Sequence, residues 1–348
     1  MVPEAITVFG AGSWGTALAR SLAMSTRRVV LWARRQEAAA RMAATRHNPS
    51  YLPDVEIPAS VEITNDLGLA ADHSDVWVVA TPAQAVRDLA ERVRDLVHPG
   101  LVVVSVAKGI EENTLLTTTQ VLDEALDGVH LQRIGVLYGP SHAEEVAVGK
   151  PTTLVAAAHS LETAEIIRNA FMTPRLRVYV NQDVIGVEIG GSVKNVLAIA
   201  AGISDGIGYG DNAKAAIVTR GMAEIQRLGV AMGADPLTFT GLTGIGDVVV
   251  TCMSHHSRNR YVGEQIGLGK TLDQIKNEMQ MIAEGVATTA STYALAKRYE
   301  IEMPITEAIY SILFEGKKPH VAVEELMTRA ARREEWLPDS LAQNAPEG

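Results

Sequence analysis

Short runs of apolar residues recur through the first half of the chain, and most are followed by a glycine or proline turn and a helix-like stretch. Continuous apolar runs of this length are typical of strands buried on both faces of a sheet. Because strands and helices alternate, the pattern predicts a parallel, doubly wound sheet of about seven strands. The predicted strands lie within residues 5–9, 27–33, 75–83, 101–111, 133–146, 152–158 and 175–180. Residues 47–58 hold three prolines, so we expect a loop over the sheet there.

The pattern changes after about residue 182, where the strand signal disappears and helices with glycine-rich connections take over. A chain of 348 residues is also long for a single core. We therefore predict an α/β Rossmann-type doubly wound sheet over residues 1–185, followed by an all-α C-terminal domain over 186–335. The last residues, 336–348, are expected to form a disordered tail.

Composition narrows the range of partners. The net charge of −10 and the pI near 5.4 argue against a nucleic-acid or anionic-membrane partner. A small anionic substrate still fits if a local basic cluster overrides the global field. The single cysteine, Cys252, allows no internal disulfide. We expect no signal peptide, because the first residues have no basic segment followed by a long apolar one, and no apolar run approaches the roughly 18 residues that a membrane span needs. These features predict a cytoplasmic protein without a membrane partner.

The first strand is followed by GAGSWG, which places Gly10, Gly12 and Gly15 in the spacing of the dinucleotide fingerprint. Gly10 allows the tight turn, Gly12 lets the backbone approach a pyrophosphate, and Gly15 lets helix and strand pack closely. The following helix offers its N-terminal N–H groups to phosphate. Strand, turn and helix together predict dinucleotide binding, with a purely structural turn as the alternative.

The end of the second strand suggests which dinucleotide binds. An NAD enzyme often carries Asp or Glu there for the ribose hydroxyls, whereas this chain carries Arg34 and Arg35. Guanidinium groups suit a 2′-phosphate. The pair favours NADP(H) and does not exclude NAD(H), and solvated arginines at a helix start are the alternative.

Further along the sheet, charged and polar residues follow the ends of predicted strands. Lys108 lies just past the carboxyl end of the strand predicted within residues 101–111, at the edge where α/β sheets bind ligands; a surface lysine is the alternative. After the next strand, the turn at residues 139–141 opens a helix. The backbone N–H groups of Ser141, His142 and Ala143 are expected to face the same crevice.

The stretch 188–214 carries an apolar stripe at helical spacing, and Lys194 lies beside that stripe in the middle of the predicted helix. A lysine in apolar surroundings has its charged form disfavoured, which suits a proton donor or acceptor near neutral pH. The alternative is a lysine that extends along the helix to solvent.

A second polar group lies between residues 240 and 260. Arg258 and Asn259 are suited to binding a phosphate, and Asp247 to binding a hydroxyl or orienting a lysine; each could instead mark a surface helix start. The adjacent His255 and His256 point to different faces of a helix, so we predict no metal site. Thr251 and Cys252 are interpreted as packing or helix back-bonding residues.

Together these motifs resemble the bacterial-type, soluble NAD(P)-dependent glycerol-3-phosphate dehydrogenase family. The resemblance runs in family order through nearly the whole chain. Its matching segments are GAGSWGTALA (10–19), VAKGIE (106–111), YGPSHAEEV (138–146), GGSVKNVLAIAAGISDGIGYGDNAKAA (190–216), GLTGIGDVVVTC (241–252), SRNR (257–260) and EGVATT (284–289). The SVKN, GPSHAEE and GDNAK strings are far more specific than the glycine fingerprint.

The resemblance implies interconversion of dihydroxyacetone phosphate and sn-glycerol 3-phosphate with NADP(H) or NAD(H), feeding glycerophospholipid synthesis. It implies that Lys194 is the proton donor or acceptor, and family habit suggests a homodimer. The implied substrate-binding residues are Lys108, Gly139, Ser141, Lys194, Asp247, Ser257, Arg258 and Asn259. The implied cofactor contacts, beside the three fingerprint glycines, are Ser13, Trp14, Arg34, Arg35, Lys108, Ala143, Arg258, Ile282 and Glu284.

Two other functions remain open at this point. A related two-domain dehydrogenase acting on a hydroxy acid or sugar acid would share the Rossmann domain, the helical domain and a lysine. A dinucleotide-sensing protein without turnover would keep the fingerprint, but it has no need for Lys194, Asp247 and Arg258 together.

Overall fold

The structure is a computed structural model that describes residues 3–25, 27–279 and 283–330. Two predictions, the cofactor contact at Ile282 and the disordered tail at 336–348, lie outside these residues. The strands are β1 (Ala5–Phe9), β2 (Arg28–Trp32), β3 (His47–Asn48), β4 (Leu52–Glu56), β5 (Val61–Thr64), β6 (Val76–Val79), β7 (Val102–Ser105), β8 (Ile134–Tyr138), β9 (Thr152–Ala158) and β10 (Leu176–Asn181).

The helices fall into two groups along the chain. Those between strands are α1 (Ser13–Ala23), α2 (Gln36–Thr45), α3 (Leu67–Asp72), α4 (Val86–Val93), α5 (Thr118–Ala125), α6 (Ala143–Ala147) and α7 (Leu161–Phe171). Those after the last strand are α8 (Val184–Ile207), α9 (Gly210–Ala231), α10 (Asp247–Met253), α11 (Arg258–Gly267), α12 (Leu272–Glu278), α13 (Glu284–Arg298), α14 (Pro304–Phe314) and α15 (Pro319–Met327).

Eight strands form one sheet in the order β10-β9-β8-β7-β6-β1-β2-β5. The Rossmann-type sheet and the all-α region after it confirm the predicted fold class. Apolar residues on alternate positions of each strand enter different layers. Val29 and Leu31 pack toward α1 and α2, whereas Val30 and Trp32 pack toward α3 and α4. Because both faces are covered, the strands are continuously apolar in sequence.

The sheet differs from the prediction in strand count and direction. The edge strand β5 was not predicted; its sequence VEIT is short and carries a glutamate. The prediction that all strands are parallel was also wrong. Strand β9 pairs antiparallel with β8, and β10 is parallel to β9, so these two strands run opposite to the rest of the sheet. The link from β8 to β9 holds only the five-residue α6, and β9 begins at the same end of the sheet where β8 stops. A parallel partner would have required a full crossover.

The prediction of a loop at 47–58 was wrong in part. Strands β3 and β4 pair there as a small antiparallel hairpin. Pro49 and Pro53 lie within this hairpin and are tolerated because a two-stranded ribbon leaves many N–H positions without a ladder partner, and Pro58 follows β4. Asn48 is buried, and its side-chain amide donates to Ala11 O at 2.9 Å and to Thr16 Oγ1 at 2.9 Å. The hairpin is therefore fastened to the dinucleotide turn.

The helical region is built around α8, which is buried along nearly its whole length. It packs against α9, α10, α11 and α13, and it ends at Gly208, which adopts φ +88°. Among the described residues, α8 alone is long and apolar enough to cross a membrane, but 94% of its apolar 18-residue stretch is buried inside the protein. A helix that is apolar on all sides is expected at the centre of a helical core.

Helices α8 and α11 cross at glycines on both partners. A Cβ at Gly202 would overlap the backbone carbonyl of Arg260, and a Cβ at Gly263 would overlap that of Ile199. Side chains at these positions would therefore force the helices apart. This crossing fixes Lys194 on α8 relative to the N-terminus of α11.

Candidate active site

Two lysines converge on one buried carboxylate at the carboxyl edge of the sheet. Lys194 comes from the middle of α8, Lys108 from the turn after β7, and Asp247 from the first position of α10. Lys194 donates to Asp247 Oδ1, and Lys108 Nζ lies 2.7 Å from Asp247 Oδ2. Lys108 also donates to Gly139 O at 2.8 Å. The structure thus brings together four of the predicted substrate-binding positions.

Burial governs the electrostatics of this cluster. Lys194 is 6% exposed and Asp247 is 0% exposed. Burial lowers the pKa of Lys194 to about 7; the Asp247 carboxylate opposes this effect, and the Lys108 ammonium adds to it. Burial alone would raise the pKa of Asp247, but the two ammonium groups outweigh it and hold that pKa below its usual value. A lysine that titrates near neutral pH can both give and take a proton.

Thr251 belongs to the same cluster, although the sequence indicated only packing or back-bonding. Its hydroxyl does donate to the Asp247 carbonyl, at 2.5 Å. The hydroxyl oxygen also accepts from Lys194 Nζ at 2.9 Å. Thr251 lies four residues after Asp247, on the same helix face, and that spacing was the available signal. It holds the lysine ammonium from a second side.

The turn after β1 fits a dinucleotide. Gly10 adopts φ +122°, and a Cβ at Gly15 would overlap the Gly10 carbonyl, so both positions require glycine. A Cβ at Gly12 would meet nothing within 4 Å, which leaves room above the N-terminus of α1 for a pyrophosphate. The first and third glycines thus shape the turn, while the second leaves the approach to it open.

Residues around this turn come partly from the hairpin, which sequence patterns did not connect to it. Ser13 is buried, and its hydroxyl donates to Tyr51 O at 3.2 Å. Trp14 is half-buried beside it. Tyr51 and Asn48 therefore support the predicted cofactor site from outside the fingerprint, and an asparagine in a proline-rich stretch was the only signal for them.

Arg34 and Arg35 lie in the short connection between β2 and α2, and both are exposed at the sheet's carboxyl edge. Arg35 occupies the N-cap position of α2 with extended backbone dihedrals. Their guanidinium groups are accessible to a cofactor phosphate on the β2 side of the glycine turn.

The turn after β8 faces the lysine pair. Gly139 adopts φ +141° and accepts a hydrogen bond from Lys108 through its carbonyl. The Ser141 hydroxyl donates to the same carbonyl at 3.1 Å. Ala143 is the first residue of α6 and is buried. The three predicted residues of this turn lie together at the carboxyl end of β8.

The predicted phosphate-binding residues begin α11. Ser257 caps the helix, with its hydroxyl accepting from Arg260 N at 3.2 Å. Arg258 occupies the first helical position and is exposed. Asn259 is buried, and its Oδ1 accepts from Gly285 N at 2.9 Å. The structure thus uses Ser257 and Asn259 to fix the helix start that presents Arg258.

Glu284 begins α13 and reaches across to the sheet. Its Oε1 accepts from Ala83 N at 3.2 Å. Burial raises the pKa of Glu284, while the charge of Arg258 works in the opposite direction. Glu284 therefore lies near Arg258, between the helical region and the end of β6.

The paired histidines go to different neighbours. His255 Nδ1 lies 3.3 Å from Arg260 Nη1, and the His256 ring lies 5.7 Å from that of His142. Within residues 3–25, 27–279 and 283–330, no group of three or more His, Cys, Asp or Glu side chains is placed to hold a metal ion.

A glycine turn shaped for a dinucleotide, on a Rossmann-type sheet and facing a buried lysine–aspartate cluster, defines a two-domain NAD(P)-dependent dehydrogenase. The NAD-dependent glycerol-3-phosphate dehydrogenase N-terminus model matches residues 5–164. The C-terminus model of the same family matches residues 183–324. The chain therefore belongs to the NAD-dependent glycerol-3-phosphate dehydrogenase family.

Individual relatives are similar over nearly their full length. The chain is 64% identical to glycerol-3-phosphate dehydrogenase (NAD(P)+) 2 of Salinibacter ruber, covering 97% of this chain and 98% of that protein. It is 49% identical to the enzyme of that name from Bacillus pumilus, covering 94% and 95%. The crystal structure of glycerol-3-phosphate dehydrogenase from Coxiella burnetii matches with a TM-score of 0.89 at 36% identity, covering 94% and 99%.

Proposed function

We propose that this chain interconverts dihydroxyacetone phosphate and sn-glycerol 3-phosphate with NADP(H) or NAD(H). The observation that carries the proposal is the Lys194–Asp247–Lys108 cluster at the carboxyl edge of the sheet. Family membership indicates which substrate is used, and the cluster contains the acid–base and charge-stabilising groups that a ketone–alcohol interconversion requires.

Lys194 is the proton donor in ketone reduction. A nicotinamide cofactor, when bound at the glycine turn, would supply the hydride for the carbonyl carbon, and negative charge would then develop on the carbonyl oxygen. Lys194 gives its proton to that oxygen, and general acid catalysis of this kind contributes about 10²–10⁴-fold. Asp247 keeps a proton on Lys194 despite burial, and Lys108 stabilises the developing charge electrostatically. In the reverse direction, neutral Lys194 accepts the hydroxyl proton.

Arg258 anchors the substrate phosphate in this proposal. A net-acidic protein needs a local positive group for an anionic ligand, and Arg258 stands exposed at the N-terminus of α11. The helix N-terminus adds favourable partial charge. Since the α8–α11 crossing is fixed by glycine contacts, the distance from this anchor to Lys194 sets the length of substrate that fits.

The remaining roles complete the proposal. Arg34 and Arg35 favour NADP(H), because exposed guanidinium groups suit a 2′-phosphate. Localisation in the cytoplasm, a homodimeric assembly and a supply of glycerol phosphate to glycerophospholipid synthesis follow from the family resemblance. The domain division at residue 185 stays a prediction.

The deciding experiment follows oxidation of NADPH and of NADH by the purified chain with dihydroxyacetone phosphate. In parallel, the same assay tests unphosphorylated 2-keto acids and oxidised sugar acids, which are the substrates that the rival dehydrogenases would reduce. Turnover of the phosphorylated ketone alone supports the proposal, and turnover of a 2-keto acid alone would replace it with the rival dehydrogenase. Lys194→Ala is expected to bind the cofactor and lose most of kcat. Near wild-type turnover by that variant would remove Lys194 from the chemistry.

A further inference from the structure

Glu188 is a second buried carboxylate on α8, and the steps proposed above do not use it. It lies six residues before Lys194, roughly 9 Å along the helix axis. It is 1% exposed. Its carboxylate accepts hydrogen bonds from Thr117 Oγ1 (2.7 Å), Thr118 Oγ1 (2.9 Å), Thr119 N (2.9 Å) and Thr119 Oγ1 (2.5 Å).

These donors belong to the start of α5, in the sheet domain. Glu188 therefore joins the helix that carries Lys194 to the segment that follows Lys108 in the chain. A carboxylate at a helix N-terminus also interacts favourably with the helix dipole. Four hydrogen bonds to one buried carboxylate leave it little freedom to move, because a displaced carboxylate would lose these bonds where solvent cannot replace them.

The same junction continues to Lys108 through Tyr138, which is fully buried. The Tyr138 hydroxyl lies 3.3 Å from Thr118 Oγ1 and donates to the carbonyl of Ala107, the residue before Lys108. Lys108 Nζ lies 5.8 Å from the centre of the Tyr138 ring. On the other side, a Cβ at Gly191 would collide with that ring, so α8 packs directly against Tyr138.

We propose that Glu188 is a positioning residue that fixes Lys194 against Lys108 across the junction between the sheet and the helical domain. This inference rests on the proposed role of Lys194 as the proton donor. Loss of the Glu188 contacts lets α8 shift relative to the turn after β7. The Lys194–Lys108 distance then changes, and with it both the placement of the proton donor and the charge that it feels.

The chain offers a matched control in Glu224 on α9. Glu224 is 2% exposed and accepts from Ile305 N (2.6 Å), Thr306 N (3.1 Å) and Thr306 Oγ1 (3.1 Å) at the start of α14. Both glutamates are buried and both cap another helix, but Glu224 joins two helices of the C-terminal region. A purely structural role would give the two positions similar effects on the reaction.

The experiment compares Glu188→Gln with Glu224→Gln in the full-length chain. For Glu188→Gln we expect kcat with dihydroxyacetone phosphate to fall about tenfold or more, since misplacement of a catalytic group by about 1 Å can cost 10²-fold. We also expect the midpoint of the kcat–pH profile to move. For Glu224→Gln we expect a changed pH dependence of stability, with kcat and the profile midpoint unchanged. A folded Glu188→Gln with wild-type kcat and profile, or one that merely repeats Glu224→Gln, overturns the proposal.

A second pair keeps the test decisive if Glu188→Gln does not fold. Thr118→Val removes one hydroxyl donor to Glu188 and leaves the carboxylate in place, whereas Thr118→Ser keeps the hydroxyl. We expect the valine variant to have a lower kcat and a shifted midpoint of the kcat–pH profile. We expect the serine variant to keep the wild-type value of both. Equal behaviour of the two refutes the positioning role. Lys194→Ala separates this outcome from failure of the proposed function, because its retention of full kcat would refute the proton-donor role itself.

Discussion

Asp247→Asn tests whether the buried carboxylate keeps Lys194 charged. Asparagine preserves the shape of the side chain and removes its charge. The carboxylate is fully buried and contacts both Lys108 and Lys194. After the change, two ammonium groups would face each other without a counter-charge, so the pKa of Lys194 should fall further below about 7.

The size of the effect follows from the protonated fraction of Lys194. With a pKa of about 7, half of Lys194 carries a proton at pH 7. Loss of a neighbouring opposite charge shifts a pKa by about 1–3 units. The protonated fraction would then fall to between roughly 0.09 and 0.001, so reduction at pH 7 would slow by about 5-fold to 500-fold.

The assay is the pH dependence of kcat in both directions. Ketone reduction needs protonated Lys194, so the wild-type rate should be full at low pH and fall as pH rises through about 7. Alcohol oxidation needs the neutral amine and should rise over the same range. For Asp247→Asn we expect both midpoints to move to lower pH. Asp205→Asn is the matched control, since it removes a carboxylate paired with Lys214 and Arg260. A folded Asp247→Asn with wild-type midpoints would refute the reasoning.

Three further predictions follow. Arg258→Ala should raise KM for the phosphorylated substrate about 10- to 100-fold, the cost of a charge-assisted hydrogen bond; an unchanged KM would remove it from the phosphate site. Gly263→Ala should lower the free energy of unfolding by about 1–3 kcal/mol, because its Cβ overlaps the Ile199 carbonyl, whereas Gly100→Ala in an exposed turn should not. Burial raises the pKa of Glu224 from 4.5 to about 7, so the folded state holds this proton more tightly. This proton contributes about 3 kcal/mol to the free energy of unfolding. The contribution is full below pH 4.5 and is lost as pH rises through about 7. Glu224→Gln should reduce the pH dependence of the unfolding temperature, and an unaltered pH dependence would contradict this explanation.

Sequence patterns were sufficient where a local requirement constrains the residue type. Gly10 and Gly15 are predictable because a tight turn and a close helix–strand approach exclude other side chains. Lys194 is conspicuous because a charged residue is unusual in the middle of an apolar helix. The alternation of strand and helix patterns likewise predicted the sheet and the helical region.

Long-range contacts were not predictable in the same way. The pairing of Lys194 with Asp247 joins residues 53 positions apart, and no local spacing encodes it. The prolines of residues 47–58 suggested a loop and concealed the contacts that Asn48 makes with the glycine turn. The direction of β9 depends on whether the connection after β8 crosses to the other end of the sheet, and the apolar sequence of β9 does not specify this.

The buried surface of α8 has a consequence for the order in which the chain is made. Most helices that cover α8 follow it in the sequence, ending with α14 at Phe314. At about 5–20 residues per second, the ribosome needs roughly 5–20 s to add the segment from Ile207 to Phe314. During that interval a long apolar helix lacks its final neighbours. We therefore expect this helix to be the main site of chaperone binding on nascent chains, and truncation just after α9 to yield an aggregating product.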